Sequence, residues 1–243
     1  MSEQSADIYD ALAPYYREYA GKKSAYLASV DGLVLENIPD GANSLLDVGS
    51  GDGVRGMAIA KRKGIGYTVL CEPSAKMADL CRKLGPSEMW QKSAGEISET
   101  SKHFDVILCL WNVLGHIPGR TERVKALTRM RTLLSDGGAI YIDVNNRHNA
   151  SAYGALTVIL RRAADFIAPY ERRGDTCFEW KVGGKVFPAM GHLFTPCEIN
   201  GIIRESGLSI NKMVTVDYAD GKVSESPYRG QLFFMLGIND GVC

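Results

Sequence analysis

Ser44-Leu45-Leu46-Asp47-Val48-Gly49-Ser50-Gly51-Asp52-Gly53-Val54-Arg55-Gly56 is the stretch whose reading decides the fold. Leu45, Leu46 and Val48 form a short apolar run that reads as a strand, interrupted near its end by the carboxylate Asp47. Gly49, Gly51 and Gly53 then follow at alternate positions. Glycine lacks Cβ and tolerates positive φ, so this loop lets backbone approach a ligand closely. The helix expected over residues 54–62 points its amide dipoles at whatever is bound. Residues 67–71 supply a second apolar run, which makes 44–71 a βαβ unit.

Working outward, the alternation continues. Ser74 caps a helix carrying Lys76, Met77, Leu80, Cys81 and Leu84; a weak strand lies near 89–91, and 104–110 is apolar apart from Asp105. A helix over 121–134 ends at Ser135-Asp136-Gly137-Gly138, and 139–144 is the fifth strand. Strands this apolar belong to a parallel sheet covered on both faces. Upstream, residues 7–38 read as helical, with Tyr9, Leu12, Ala13 and Tyr16 at i, i+3, i+4 and i+7, and Pro14 as a kink. Residues 145–193 break the rhythm with a helix over 152–167, a basic Arg172-Arg173 segment and a hairpin turning at Gly183-Gly184. Thr195-Pro196 opens a capped helix that runs to 206, and 208–216 and 231–238 complete seven strands. The expectation is one α/β domain over 1–243, with an N-terminal helical lid over about 1–40 and an inserted lid over about 145–193.

A chain of 243 residues with 45% apolar content buries one sizeable core. Its 28 basic and 28 acidic residues balance, and no long basic run occurs, so the global charge that drives binding to nucleic acid or an anionic membrane is missing. No apolar run is long enough to cross a bilayer, and the first ten residues are polar, so a cytoplasmic location is expected. The six cysteines include no Cys-x-x-Cys pair and are read as reduced, and the four histidines lack ligand spacing, so no metal is expected. Whether the chain forms a homodimer stays open.

Gly51-x-Gly53-x-x-Gly56 formally matches the dinucleotide fingerprint, with Glu72 at roughly the 20-residue offset that serves a ribose. Asp47 separates the readings. A carboxylate ahead of the first glycine repels a pyrophosphate but suits a cofactor whose amino-acid end carries an ammonium group.

At these residues the chain resembles the class I S-adenosylmethionine-dependent methyltransferases, over about residues 7–147 plus the last helix and two strands. The resemblance implies a Rossmann-like sheet of seven strands, the last antiparallel, with helices on both faces. Asp47, Gly49, Ser50, Gly51 and Gly53 match the loop that wraps the methionine part of the cofactor. Glu72 matches the acid that holds the ribose hydroxyls. Pro73 follows it, and Met77 is similar to the apolar residue that packs on adenine. Ala94, Gly95 and Glu96 align with the segment facing the adenine edge, although Ser93 stands where the family usually has Asp. Leu110 and Trp111 would border the methyl-donor end. Leu-Cys-Leu-x-Asn-x-x-x-His over 108–116 is most similar to the branch containing glycine N-methyltransferase and natural-product enzymes. That branch implies methylation of a small-molecule nitrogen or oxygen in secondary or specialised metabolism, with the acceptor between these loops and the N-terminal helix.

Methyl transfer from a sulfonium needs chiefly alignment and exclusion of water. An acceptor that must lose a proton makes His116 the first candidate base. Tyr9, Tyr16 and Asn112 are candidates for orienting the acceptor, and each of the four has a packing role as its alternative. Two rival functions remain at this point: a nicotinamide-dependent oxidoreductase using the same loop, and a non-catalytic S-adenosylmethionine-binding protein.

Overall fold

The computed structural model describes residues 3–97, 102–168 and 170–238; Cys243 lies outside them. The chain begins with α1 (Glu3–Leu12), a 3₁₀ turn at Ala13–Tyr15 that contains Pro14, α2 (Tyr16–Gly21) and α3 (Ser24–Asn37). Proline lacks the N–H that a continuous helix needs, so the expected long helix breaks there. Then come β1 (Ser44–Val48), α4 (Val54–Lys63), β2 (Tyr67–Cys71), α5 (Ala75–Arg82), β3 (Glu88–Trp90), β4 (Phe104–Cys109), α6 (Arg120–Thr132) and β5 (Leu134–Val144).

The fifth strand starts earlier than the sequence suggests. Ser135-Asp136-Gly137-Gly138 reads as a turn, yet it lies within β5, where the pairing with β4 shifts register between Phe104 and Val106. Gly137 takes φ +73°, and the irregularity absorbs the turn-like residues without ending the strand.

The insertion holds α7 (Ala150–Tyr153), α8 (Ala155–Ile167), β6 (Asp175–Val182) and β7 (Lys185–His192). Gly154 at φ +80° divides what reads as one helix into two. Gly183 and Gly184, at φ +58° and +69°, make the two-residue hairpin turn whose twist demands positive φ at both positions. The chain closes with α9 (Pro196–Glu205), β8 (Leu208–Val216), β9 (Val223–Ser224) and β10 (Gln231–Ile238).

The main sheet has the order β3-β2-β1-β4-β5-β10-β8-β9. β1 to β5 run parallel, and β10 is antiparallel to both β5 and β8. The sheet has eight strands rather than the expected seven, because β9 adds a two-residue edge on β8, too short to show any periodicity. Alternation along the strands sends Leu46, Val48, Ile107 and Cys109 against α6 and α9, and Leu45, Val106 and Leu108 against α3 and α4. A separate cluster joins Leu12 of α1 to Trp180, Val182, Phe187 and Ala189 of the hairpin.

Ser74 is the N-cap of α5, accepting from the Met77 amide at 3.2 Å, and its hydroxyl donates to Asp10 of α1. Asp10 also accepts from the Lys76 amide at 3.0 Å. One residue therefore caps a helix and ties the N-terminal lid to the sheet domain. Ser74→Ala is expected to lower stability by about 1 kcal/mol, as loss of a cap does, and to increase amide exchange in α1; a urea titration with hydrogen exchange checks both.

Candidate active site

The site lies at the carboxyl ends of β1, β2, β4 and β5. After β1 the chain turns through Gly49, Gly51 and Gly53 at φ +71°, +57° and +78°. Gly49 and Ser50 donate their amides to the Cys71 carbonyl at 2.8 and 3.2 Å, and Gly53 to the Ser50 carbonyl at 2.9 Å. The three glycines serve different neighbours. A Cβ at Gly49 would lie 2.6 Å from Val113 Cγ2, one at Gly53 2.6 Å from Leu70 Cδ1, and one at Gly51 2.6 Å from the Tyr16 hydroxyl. Gly51 is thus the one of the three over which an N-terminal tyrosine closes.

Two carboxylates flank this turn. Glu72, 2% exposed, accepts from the Gly51 amide at 3.0 Å and the Ser74 amide at 2.9 Å. Burial pushes its pKa up to about 7, against the pull of those two amides. Asp47 is likewise pushed up to about 7 by burial, with Arg55 drawing it back down. A Cβ at Gly56 would meet the Asp47 Oδ2 at 2.4 Å, so glycine there lets the carboxylate lie against the first turn of α4. That is where a dinucleotide's pyrophosphate would need to be. Both carboxylates carry a desolvation cost that a cation or a hydroxyl donor would relieve, and the glycine cradle with these two acids fits a ligand bearing an ammonium group and a ribose.

At the end of β4, Trp111 and Asn112 take φ +65° and +62°, a region that bulky side chains avoid. The buried Asp143 at the end of β5 holds them, accepting from the Trp111 amide and from the Tyr26 hydroxyl. The Asn112 amide donates to the Asp143 carbonyl at 3.1 Å, and its Oδ1 accepts from the Asn145 amide at 2.9 Å. Its Nδ2 is buried with no hydrogen-bond partner among the described residues. A 3₁₀ turn over Val113–His116 follows.

His116 donates from Nδ1 to the Met190 carbonyl of β7 at 3.0 Å, which leaves Nε2 with its lone pair facing the Tyr9 hydroxyl at 3.4 Å. Burial pushes its pKa down to about 4, so the ring is neutral at pH 7. It is a weaker base than a free imidazole and a better fixed hydrogen-bond acceptor. Around it stand Tyr9 (ring centroids 5.8 Å), Trp180 (6.1 Å) and Phe178 (6.3 Å), while Tyr19 stacks on Trp111 at 5.5 Å and 15°. These rings close the site to a residual cavity of about 20 Å³.

The cavity brings together Tyr9, Tyr16, Gly49, Gly51, Glu72, Leu110, Trp111 and His116, all read from sequence, and adds Val113. Asp47, Ser50 and Gly53 lie behind the turn, buried. Pro73 is half-buried beside Glu72, and Met77 is fully buried at the start of α5. Ala94 is buried, but Glu96 spends its carboxylate on the Ser93 amide (2.9 Å) and hydroxyl (2.7 Å), capping its own 3₁₀ turn, while the Gly95 carbonyl accepts from Arg129. Sequence reasoning missed Tyr19, whose approach to the loops is tertiary, and Arg17, which pairs with Asp52 at 2.6 Å.

The class of fold is thus a Rossmann-like sheet with its site beyond the carboxyl ends of the parallel strands. Residues 46–140 match a family model described as a methyltransferase domain. The same fold occurs in an S-adenosylmethionine-dependent methyltransferase of Thermotoga maritima (TM-score 0.67, 18% identity, 96% of this chain and 99% of that one). It occurs also in an amino pentose methyltransferase of Micromonospora echinaspora involved in calicheamicin biosynthesis (0.60, 16%, 91% and 94%). A sugar N-methyltransferase of Streptoalloteichus is a third example (0.58, 19%, 90% and 90%). No curated protein sequence shows significant similarity to the chain.

The buried neutral His116 sets a pH dependence. With a folded pKa of about 4 against 6.5 unfolded, the unfolded chain binds the extra proton, so this group's contribution is intact above pH 6.5 and is lost as pH falls toward 4. Between pH 7 and 5, the wild type should lose about 2 kcal/mol more than His116→Gln; paired urea titrations at the two pH values measure it.

Proposed function

We propose that the protein transfers a methyl group from S-adenosylmethionine to the nitrogen of a small-molecule amine. The observation that carries the reading is the pair of buried carboxylates, Asp47 and Glu72, on either side of the glycine turn. Asp47 would hold the ammonium of the cofactor's amino-acid end through the turn, and Glu72 the ribose hydroxyls. Met77 and Ala94 would pack on the adenine, with Pro73, Gly95 and Glu96 bordering it and Leu110 and Trp111 at the sulfur end. When bound, the cofactor supplies an electrophilic methyl on a sulfonium.

The chain's own residues then do three things. Tyr9, Tyr16, Tyr19, Trp111 and Trp180 exclude water and present π faces to positive charge as it disperses. His116 Nε2 accepts a hydrogen bond from the acceptor N–H and fixes its lone pair in line. Asn112, whose buried Nδ2 has no hydrogen-bond partner among the described residues, would help to orient the acceptor from beside the hairpin.

Nitrogen is favoured over oxygen by magnitude. A base with a pKa of about 4 cannot take a hydroxyl proton effectively, whereas a neutral amine attacks with its lone pair already free. The sugar N-methyltransferase among the structural relatives supports the same choice, and the calicheamicin enzyme supports a role in specialised metabolism. Entry of the donor requires Tyr9 and Tyr16 to move, since a 20 Å³ cavity cannot take a nucleoside.

Calorimetry should show binding of S-adenosylhomocysteine and none of reduced nicotinamide dinucleotide; the reverse result would overturn the assignment. In the free protein Asp47 and Glu72 keep their protons up to about pH 7, and the ligand selects the ionised forms. Affinity should therefore be full above pH 7 and fall by about tenfold per pH unit below it for each carboxylate involved. In turnover assays with amine acceptors, His116→Gln should lower kcat by about 10²-fold with S-adenosylhomocysteine affinity retained.

A further inference from the structure

α8 is an amphipathic helix docked the wrong way round for a monomer. Its one fully buried apolar residue is Val158, and the charged pair on the same side faces the protein. Arg161 donates to the Arg147 carbonyl at 3.0 Å, and Asp165 receives Arg147 at 3.1 Å, His148 at 2.9 Å and Arg173 at 3.1 Å. Leu156, Ile159, Leu160, Phe166 and Ile167 occupy the outer arc, at 70, 59, 63, 90 and 80% exposure, and Tyr170 just beyond the helix is 59% exposed. An outward apolar arc of this size does not stay in water without a partner.

We infer that this face is covered by the same face of a second copy of the chain. Three observations select that occupant. The six side chains expose on the order of 800 Å² together, which is the area each partner of a stable pair covers. A groove of about 1020 Å³ runs beside the arc between α8 and α9, lined by Ile159, Phe166 and Pro196 together with the charged Arg120, Arg162 and Glu198, so the projecting Phe166 forms part of the wall of the hole that its two-fold mate would enter. A two-fold axis places each Phe166 in the groove of the other copy, the self-complementarity that an isologous interface requires. The charge balance disfavours a lipid surface. An interfacial helix keeps a free basic face toward the headgroups, whereas Arg147 and Arg173 are tied to Asp165, Arg161 turns inward, and Arg162 lies over the Tyr228 ring.

The groove shares no lining residue with the methyl-donor cavity, so the inference is independent of the proposed reaction.

Sedimentation velocity on the full chain across 1–50 µM (roughly the weak end of the affinities that interfaces of this size reach) should give a species of twice the 26.5 kDa chain mass. Leu160→Glu and Phe166→Asp, each at a solvent-exposed position, should each give a monomer with unchanged circular dichroism and S-adenosylhomocysteine affinity. A monomeric wild type, or a dimer that survives both substitutions, overturns the assignment. Flotation of the wild type with phosphatidylserine vesicles, abolished by Phe166→Asp, would overturn it in favour of a membrane surface.

Discussion

The geometry of the site rests on one buried carboxylate, Asp143. Two consecutive non-glycine residues in the left-handed region cost on the order of 1–3 kcal/mol each, and such strain persists only where the surroundings over-determine it. Asp143 supplies that constraint by accepting from the Trp111 amide while the Tyr26 hydroxyl holds its other oxygen. The bend turns Trp111 out of the sheet, where its indole donates to the Tyr218 hydroxyl at 2.9 Å and stacks on Tyr19. It also starts the turn that delivers His116 to the hairpin. Strand β4, strand β5 and helix α3 therefore meet at one ionisable group, and each site residue downstream inherits its position from it.

The insertion after β5 has two halves with separate tasks. The hairpin packs Trp180 and Phe187 on α1 and the 3₁₀ turn after it, and offers the Met190 carbonyl to His116. The N-terminal helices and the hairpin thus form one cover, tied to the sheet domain by polar contacts at Asp10, Arg17, Tyr26 and Asp31 and through the Met190 carbonyl. At its base a buried Arg123 lies near Glu171, Asp175 and Glu198, and His192 bonds Asp175 and Glu198 at 2.8 Å each. Removing one partner from such a network leaves an uncompensated buried charge, which fixes where the cover is anchored. α8, in contrast, contributes no residue to the cavity between Tyr9 and His116.

Features set by local chemistry were legible in the sequence. The glycine turn, β2, β8 and β10, the Ser74 and Thr195 caps and the Gly183-Gly184 hairpin all stand where spacing placed them. Features set by tertiary context were not. No local rule puts Trp111 at positive φ, because the cause is a carboxylate 32 residues away from it in the chain, whereas Asn112 beside it is a residue type that tolerates this region. Four turn-forming residues joined β5 because β4 lay beside them. Glu96 looked available to a ligand, yet a Ser three residues earlier completes a capping box and takes its carboxylate. His116 was singled out by the resemblance of its loop, but its protonation state is a property of the rings that bury it.

Desolvation acts on the site in opposite senses and leaves it electrically quiet. It raises Asp47 and Glu72 toward neutrality and lowers His116 toward the same condition, so at neutral pH none of the three is strongly charged until a ligand arrives. A cation entering beside Asp47 restores the carboxylate charge and opposes any protonation of the imidazole. One positive ligand thus sharpens both halves of the site, its own anionic grip and the lone pair on Nε2. A dinucleotide's negative pyrophosphate would do the reverse, keeping the acids protonated and drawing a proton onto His116. The sign of the ligand that suits this site follows from the carboxylates that burial has left without a cation.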